Sequence, residues 1–342
     1  MKYSYNFCDV EMKKTISILL LSVFVFWGCN APSQQVAEEK LSFTLLPVSA
    51  FIGLPIQIMA FDSVLLINDF YGDTLVHRIS LKTGKETAKW GIKGNGPNEV
   101  LSPLHLMKTS DSLFVFSRPQ WTLYSVTDRQ SSLSRKVRVF TDISLLFPLG
   151  DSGYLASGMF ADKRFCLLDE NGNEQMRFGD YPCFWNRESG LPIEVKRMFH
   201  QVRGYGFSDK HGFVVAGSHV LSFYKPHSAG YSLEKEICLA PYEYGFNERG
   251  MESTVNLKTS FVNGAVDLAV SDEYVYVLFD NNSLESSVKR KKEIWRYDWK
   301  GNLLNRYIPD VELSLITVAS DGRLIGLTDS EEPSIAFVSG DE

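Results

Sequence analysis

Cysteine is scarce in this chain. Only five occur in 342 residues, and Cys166, Cys183 and Cys238, the three beyond residue 40, are too few and too scattered to form a disulfide framework. Cys166 and Cys183 could pair in an oxidising compartment, with buried thiols as the simpler alternative. An excess of positive charge is also missing. The formal net charge is −6, and removal of the N-terminal segment takes away Lys2, Lys13 and Lys14 against Asp9 and Glu11, leaving the remainder more acidic still. That balance excludes a nucleic-acid partner, which calls for a basic face. Helical periodicity is sparse beyond residue 40. No G-x-S-x-G nucleophile elbow, H-E-x-x-H metal helix or ordered calcium loop occurs, so no cofactor and no metal is expected.

The N-terminus carries an address. Lys13 and Lys14 precede an apolar run from Ile16 to Trp27. A membrane span needs about 20 residues; this run has the length of a signal-peptide core. It ends in Gly28-Cys29, followed by Asn30-Ala31-Pro32-Ser33. That ending resembles a lipobox, which implies cleavage before Cys29 and lipid on its sulfur and amine. The alternative is an uncleaved anchor. MKKTISILLL at Met12 is the more natural signal start. Each buried methylene of an acyl chain contributes about 0.8 kcal/mol, so a multiply acylated cysteine holds stably to a membrane. The sequence thus divides into a signal peptide at 1–28, a lipidated tether at 29–40 and one domain at 41–342. Asn30 does not resemble the aspartate retention signal of some bacterial lipoproteins, which points to the outer membrane.

The domain is a repeat. Short runs rich in Val, Ile, Leu, Phe and Tyr alternate with Gly, Asp, Asn and Ser turns, which are strand and hairpin signals. Asp62, Asp111, Asp151, Asp209, Asp272 and Asp321 each stand before an apolar strand, as in FDSVLLIND, SDEYVYVLFD and SDGRLIGLT, at intervals of 40 to 63 residues. Aspartate suits this place because it hydrogen-bonds nearby backbone and pins a turn. Second strands follow, several running into polar hairpins such as Asp169-Glu170-Asn171-Gly172-Asn173 and Asp298-Trp299-Lys300-Gly301-Asn302. Six four-stranded units predict an all-β, six-bladed propeller, because a lone blade cannot cover both faces of its sheet. The last unit lacks an outer strand, and LSFTLL at 41–46 is placed to supply it. The intervals are too long for β-helix coils, and a sandwich would not repeat six times.

Trp90-Gly91-Ile92-Lys93-Gly94-Asn95-Gly96-Pro97-Asn98-Glu99 resembles the G-x-x-G-x-G-P-x-E motif of Bacteroides-type lipoproteins with a TolB-like six-bladed propeller. EIWRYDWKGNLLNRYIP and SDGRLIGLTDSEEPSIAFV are similar to the blade sequences of that family. The resemblance covers about residues 41–340. It implies a propeller at the cell envelope and no particular reaction. Gly91, Gly94, Gly96, Pro97 and Glu99 read as a structural connection between the first two blades, with Glu99 bonding loop amides. A phosphate loop would need Lys-Ser/Thr and a helix to follow.

The remaining polar residues give no compact constellation. His200, His211 and His219 lack zinc spacing. Asp280-Asn281-Asn282 could suggest calcium, but no EF-hand order of ligands follows; a cation on the propeller axis is a separate alternative. NNSLESSVKRKK at 281–292 reads as an exposed excursion, with Arg290, Lys291 and Lys292 either solvated or facing an acidic partner. A second excursion, 180–199, holds Phe184 and Trp185, which either cap a core or grip a ligand. The leading expectation is a non-catalytic propeller that binds or scaffolds a protein, peptide or glycan, with membrane lipid reached through Cys29. The alternative is an envelope hydrolase or lyase with acidic and His residues at the funnel.

Overall fold

The computed structural model describes residues 36–342 apart from 97–98, 110–111, 128–131, 150–152, 186, 229, 250–251 and 340–342. The signal segment 1–28 and Cys29 lie outside the described residues. So do Pro97 and Asn98 of the glycine motif and the turn residues Asp111 and Asp151.

Among the described residues, Glu38–Glu342 forms one unit. Its chain opens with β1 (Glu38–Leu41) and β2 (Phe43–Pro47). Blade 1 comprises β3 (Pro55–Phe61), β4 (Val64–Asp69), β5 (Thr74–Ser80) and β6 (Glu86–Ile92). Blade 2 comprises β7 (Leu104–Lys108), β8 (Leu113–Ser117), β9 (Thr122–Thr127) and β10 (Ser132–Arg138). Blade 3 is β11 (Ile143–Pro148), β12 (Tyr154–Gly158), β13 (Phe165–Leu168) and β14 (Glu174–Phe178). A helix α1 (Ile193–Phe199) then precedes blade 4, which is β15 (Gly204–Ser208), β16 (Gly212–Ala216), β17 (Val220–His227) and β18 (Gly230–Cys238). A separate hairpin, β19 (Tyr244–Arg249) with β20 (Glu252–Leu257), leads into blade 5: β21 (Val262–Val270), β22 (Tyr274–Ser283), β23 (Glu293–Asp298) and β24 (Leu303–Pro309). Blade 6 is β25 (Leu313–Val318), β26 (Leu324–Thr328) and β27 (Ser334–Val338). Each blade is an antiparallel meander, and β2 completes blade 6 beside β27. The ring is therefore six blades of four strands, in the order the repeat predicts.

Burial explains the strand sequences. Every residue of β4, β8, β16 and β26 is buried. A strand covered on both faces needs a continuous apolar run rather than alternation, hence VLLI, LFVF, FVVA and LIGL. Outer strands β14 and β18 face solvent and read as polar. The hydrophobic core is divided. One cluster joins blades 1 and 2 through Leu66, Trp90, Leu106 and Val115. Others join 2 and 3, 3 and 4, 4 and 5, 5 and 6, and 6 and 1. Gly206 on β15 lets blade 4 approach blade 5: a Cβ there would sit 2.1 Å from Val270 Cγ1.

The turns refine the expectation about aspartate. Asp321 accepts the Arg323 amide at 3.0 Å, but in blade 5 Ser271, not Asp272, accepts the amides of Glu273 and Tyr274. The strongest pinning lies in the other hairpins. Asp169 Oδ1 takes the amides of Asn171 and Asn173 at 2.9 and 2.8 Å, and Asp298 Oδ1 takes those of Lys300 and Asn302 at 3.0 and 2.8 Å.

Closure uses two strands rather than one. β2 pairs antiparallel with β27, Phe43 opposite Val338. β1 pairs parallel with β24, Glu38 opposite Arg306. Residues 38–40, read as the end of the tether, thus belong to the ring, because their backbone groups complete the open edge of blade 5. Asp310 sits at the crossover: its amide donates to Leu41 O and its Oδ1 accepts the Phe43 amide, both at 3.0 Å. Phe43 is buried against the seam between blades 5 and 6. Phe43→Ala is expected to cost about 3 kcal/mol and lower the melting midpoint by roughly 6 °C or more; calorimetry showing no change would mean that the ring does not depend on this strand.

Candidate functional site

The first strands of the blades, β3, β7, β11, β15, β21 and β25, surround a central channel of about 370 Å³. Two faces follow from the meander: hairpins join first to second strands on one, and blade-to-blade connectors cross the other. The channel wall is stapled by polar side chains reaching from one blade to the next. Gln57 of β3 accepts the Leu106 amide at 2.7 Å and donates to the Leu106 carbonyl at 3.0 Å. Thr317 of β25 accepts the Ala60 amide at 3.3 Å. Lys108 donates Nζ to the Ala60 carbonyl at 2.8 Å. Asp267 of β21 accepts the Ile316 amide at 2.9 Å and its neighbour Leu268's at 2.8 Å. Phe147 and Tyr205 close the seam of blades 3 and 4, ring centroids 3.8 Å apart.

Burial lowers the Lys108 ammonium and raises the Tyr205 phenol in this channel, and it shifts three further ionisable groups there. Loss of water raises the Asp267 carboxyl to about 7 against the pull of its two amide donors. It lowers the His105 imidazole to about 4 against a hydrogen bond to the Leu146 backbone, and His105 Nδ1 is buried without a partner. Burial also lowers Arg203, a channel-lining residue. No charged side chain contributes to any of these three shifts. On the hairpin face the channel opens into a cleft of about 800 Å³ between blades 5 and 6, lined by Tyr274, Tyr276, Arg296 and Tyr307. Arg296 lies over the Tyr274 ring, 4.7 Å from its centroid.

The connector face carries a cap over blades 4 and 5. Glu188, fully buried, accepts four donors: His200 Nε2 at 2.7 Å, the Phe184 amide at 2.7 Å, Tyr244 Oη at 2.9 Å and Tyr242 Oη at 3.2 Å. Burial acts to raise this carboxyl, but the bonds from His200 and Phe184 outweigh it and hold it low. Phe199 of α1 stacks on Tyr244 at 4.0 Å. Trp185 packs into the same cluster, edge-on to Tyr244 at 5.7 Å. Phe184 stays 40 % exposed, touching Tyr242 by its edge. The two aromatics therefore separate: Trp185 caps, and Phe184 presents its ring to solvent.

The other sequence-singled residues are scattered. In the connection from blade 1 to blade 2, Glu99 accepts the Gly96 amide at 2.7 Å. Gly91 has φ of 76°, and a Cβ on Gly94 would stand 1.9 Å from Glu99 Oε2. These contacts make a folded loop with its carboxylate turned inward. Cys166 is buried, but Cys183 and Cys238 are exposed and all three are free; buried thiols are the simpler expectation, and the positions of Cys183 in the connector after blade 3 and of Cys238 at the end of the solvent-facing strand β18 leave these two at the surface. His211 stacks on Trp299 at 5.2 Å, and His219 bonds the Val262 carbonyl at 2.9 Å, so with His200 committed to Glu188 the three histidines do not converge. In the 281–292 excursion, Lys292 pairs with Glu312 at 3.0 Å and Asp329 at 2.9 Å, so its charge is spent within the chain. Sequence reasoning passes over Asp267 and Arg203, and reads His105 as an ordinary, partly exposed polar residue, whereas it lines the channel. Their signal is a polar residue inside or just before an otherwise apolar first strand.

A six-bladed propeller with a stapled axial channel is the class that this architecture defines. The family model described as TolB-like 6-blade propeller-like matches residues 33–321, and the chain belongs to that family. Two solved structures from Bacteroides share the fold. One, from Bacteroides fragilis NCTC 9343 and provisionally classed as exported, is 13 % identical with a TM-score of 0.57, covering 89 % of this chain and 99 % of that one. A member of the duf4221 family from Bacteroides vulgatus is 10 % identical with a TM-score of 0.58, covering 89 % of this chain and 97 % of that one. No curated protein matches the chain.

Two pH effects follow with opposite signs. Glu188 and His200 are both held below their ordinary values of 4.5 and 6.5. Their contribution is complete above pH 6.5 and drains away as pH falls through the folded values. Glu188→Gln is expected to lower the melting midpoint by about 5 °C at pH 7.5, with the gap narrowing in acid; an equal gap at both pH values contradicts the assignment. Asp267 is raised from 3.8 to about 7, so its contribution is complete below 3.8 and is lost as pH rises through 7. The cost of ionising it is about 4 kcal/mol at most, against about 1 kcal/mol for one weakened hydrogen bond. Asp267→Asn should therefore melt higher than the native chain at pH 8 and show a flatter pH profile; a lower midpoint at pH 8 would refute the raised carboxyl.

Proposed function

We propose that this chain is a cell-envelope lipoprotein, held to the outer membrane by lipid on Cys29, whose propeller recognises a protein, peptide or glycan without transforming it. The observation that carries the reading is that the carboxyl and the imidazole in the channel do not work as a pair. Asp267 and His105 are each bound to backbone, and neither feels the other's charge. General acid–base chemistry needs a proton donor and acceptor positioned around one reacting atom, and hydrolysis of a glycoside needs two carboxyls at a defined separation. The Glu188–His200 pair has the right chemistry, but it is sealed from solvent and saturated by structural donors.

Recognition has better support. Long connectors bring the exposed Phe184 and the channel-lining Arg203 to one face, on a scaffold whose strands are rigidly packed. Binding residues commonly sit on loops that such a scaffold positions. The likeness to a Bacteroides fragilis protein described as exported and the lipobox-like ending at Cys29 support the envelope address. One observation favours the hydrolase or lyase reading: a carboxyl raised to about 7 inside a channel is the state a general acid requires.

The test is affinity capture from detergent-solubilised native envelopes with the full chain. Phe184→Ala should lower recovery of a specific partner about tenfold, as loss of an aromatic anchor does, and Cys29→Ala should release the protein from the membrane fraction. Equal capture by Phe184→Ala, or turnover of envelope glycans that Asp267→Asn abolishes, would overturn the recognition reading.

A further inference from the structure

Beneath the cap, at the connector end of the seam between blades 3 and 4, lies a cavity of about 20 Å³ lined by Ser144, Ser157, Arg164, Tyr181, Arg197 and His200, among others. Arg164 enters from the loop between β12 and β13 and is 1 % exposed. Its Nη1 donates to Ser222 Oγ at 2.9 Å, with Glu236 at 3.9 Å from the same nitrogen. Its Nε and Nη2 are buried without acceptors. Arg197, on α1, donates Nη1 to the Met159 carbonyl at 3.0 Å, and its Nε is likewise buried without an acceptor. Both guanidiniums act on the Tyr181 phenol, which burial nevertheless pushes up to about 12; the three groups therefore gather at one spot.

The charge there is unbalanced. Glu188 is saturated by its four donors. Asp162 pairs with Arg177, and Asp180 with Lys163. Glu236 stands on the Ser222 side of Arg164 and receives that hydroxyl at 3.0 Å. Two guanidiniums thus border a small cavity, with Glu236 paired to the far side of Arg164 at 3.9 Å as the one carboxylate they share. A buried charged donor left without a partner is expensive. A water molecule would accept hydrogen bonds but leave the charge uncompensated, whereas an anion meets both demands. The cavity holds about one water-sized sphere, which excludes phosphate, sulfate and carboxylates.

We propose that this cavity binds a single halide ion, chloride under physiological conditions, between Arg164 of blade 3 and Arg197 of the cap. The ion ties α1, and through it the loop bearing Phe184, to the ring. The site is independent of what the propeller recognises.

Melting of the full chain in detergent is to be compared in sodium chloride, sodium bromide and sodium gluconate at equal ionic strength. The midpoint should rise with chloride and with bromide and level off, as for a ligand of the folded state, and should not rise with gluconate. Arg197→Met, at the half-exposed end of the site, should fold and lose the halide dependence. Arg164→Met tests the buried end; should it fail to fold, crystals of the native chain grown in bromide supply the second measurement. An anomalous bromine peak beside Arg164 and Arg197 supports the site. A water in that place, equal melting in all three salts, or undiminished halide dependence in Arg197→Met overturns it.

Discussion

The structure depends on the seam between blades. No sheet in this ring owns a core: the buried side chains form clusters that each draw on two neighbouring blades. A four-stranded sheet with two apolar faces is unstable alone, and it becomes stable only when both faces are covered. The requirement propagates around the ring and ends at the gap between last and first blade. That gap is why the N-terminal strands are recruited. β2 completes blade 6, β1 adds a fifth strand to blade 5, and Asp310 bonds the backbone on both sides of the crossover. Stability and connectivity are thus one problem, and the chain solves it with residues at opposite ends of the domain.

The same demand shapes the axis. First strands converge there, and their edge groups need hydrogen-bond partners that a neighbouring tilted strand cannot supply by regular pairing. Gln57, Thr317, Lys108 and Asp267 supply them by reaching across to the next blade's backbone. A polar residue in the channel is therefore first a structural staple. This explains how a carboxyl can be raised to about 7 without a catalytic partner: it loses water where the blades meet, and its oxygens are occupied because backbone amides need acceptors.

The sequence made the ring legible because blade burial writes a simple pattern. A strand covered on both faces must be a short continuous apolar run, and VLLI, LFVF, FVVA and LIGL repeat it at the second strands of four of the six blades. Turn residues between the runs set the unit. The functional face was less legible. His105 in LHLMK and Asp267 in GAVDLAV look like ordinary interruptions, because which edge of a strand meets the axis depends on tilt and on neighbours far away in sequence. The cap was hidden for a related reason. Glu188 meets Tyr242 and Tyr244 across a separation of more than fifty residues, with no period or motif to announce the encounter. The hairpin of β19 and β20 was missed too, since it lies outside the six repeating units.

What separates the two faces of this molecule is the length of its loops. On the hairpin face the turns are short and pinned by their own side chains, as at Asp169 and Asp298. On the connector face the chain must travel from an outer strand back to the axis, and between blades 3 and 4 it does so through α1 and an aromatic cluster. That journey buries the Glu188 carboxylate and the His200 imidazole and brings Arg197 to the cavity beside the Arg164 guanidinium of blade 3. Buried charge is costly unless compensated, and natural chains keep such arrangements where a fixed geometry is needed. Glu188 fixes the Phe184 amide directly, so the ring of Phe184 is presented from a rigid base rather than from a free loop. A preorganised aromatic loses little conformational entropy on contact. The polar network beneath the cap is the physical cause of the fixed aromatic surface above it.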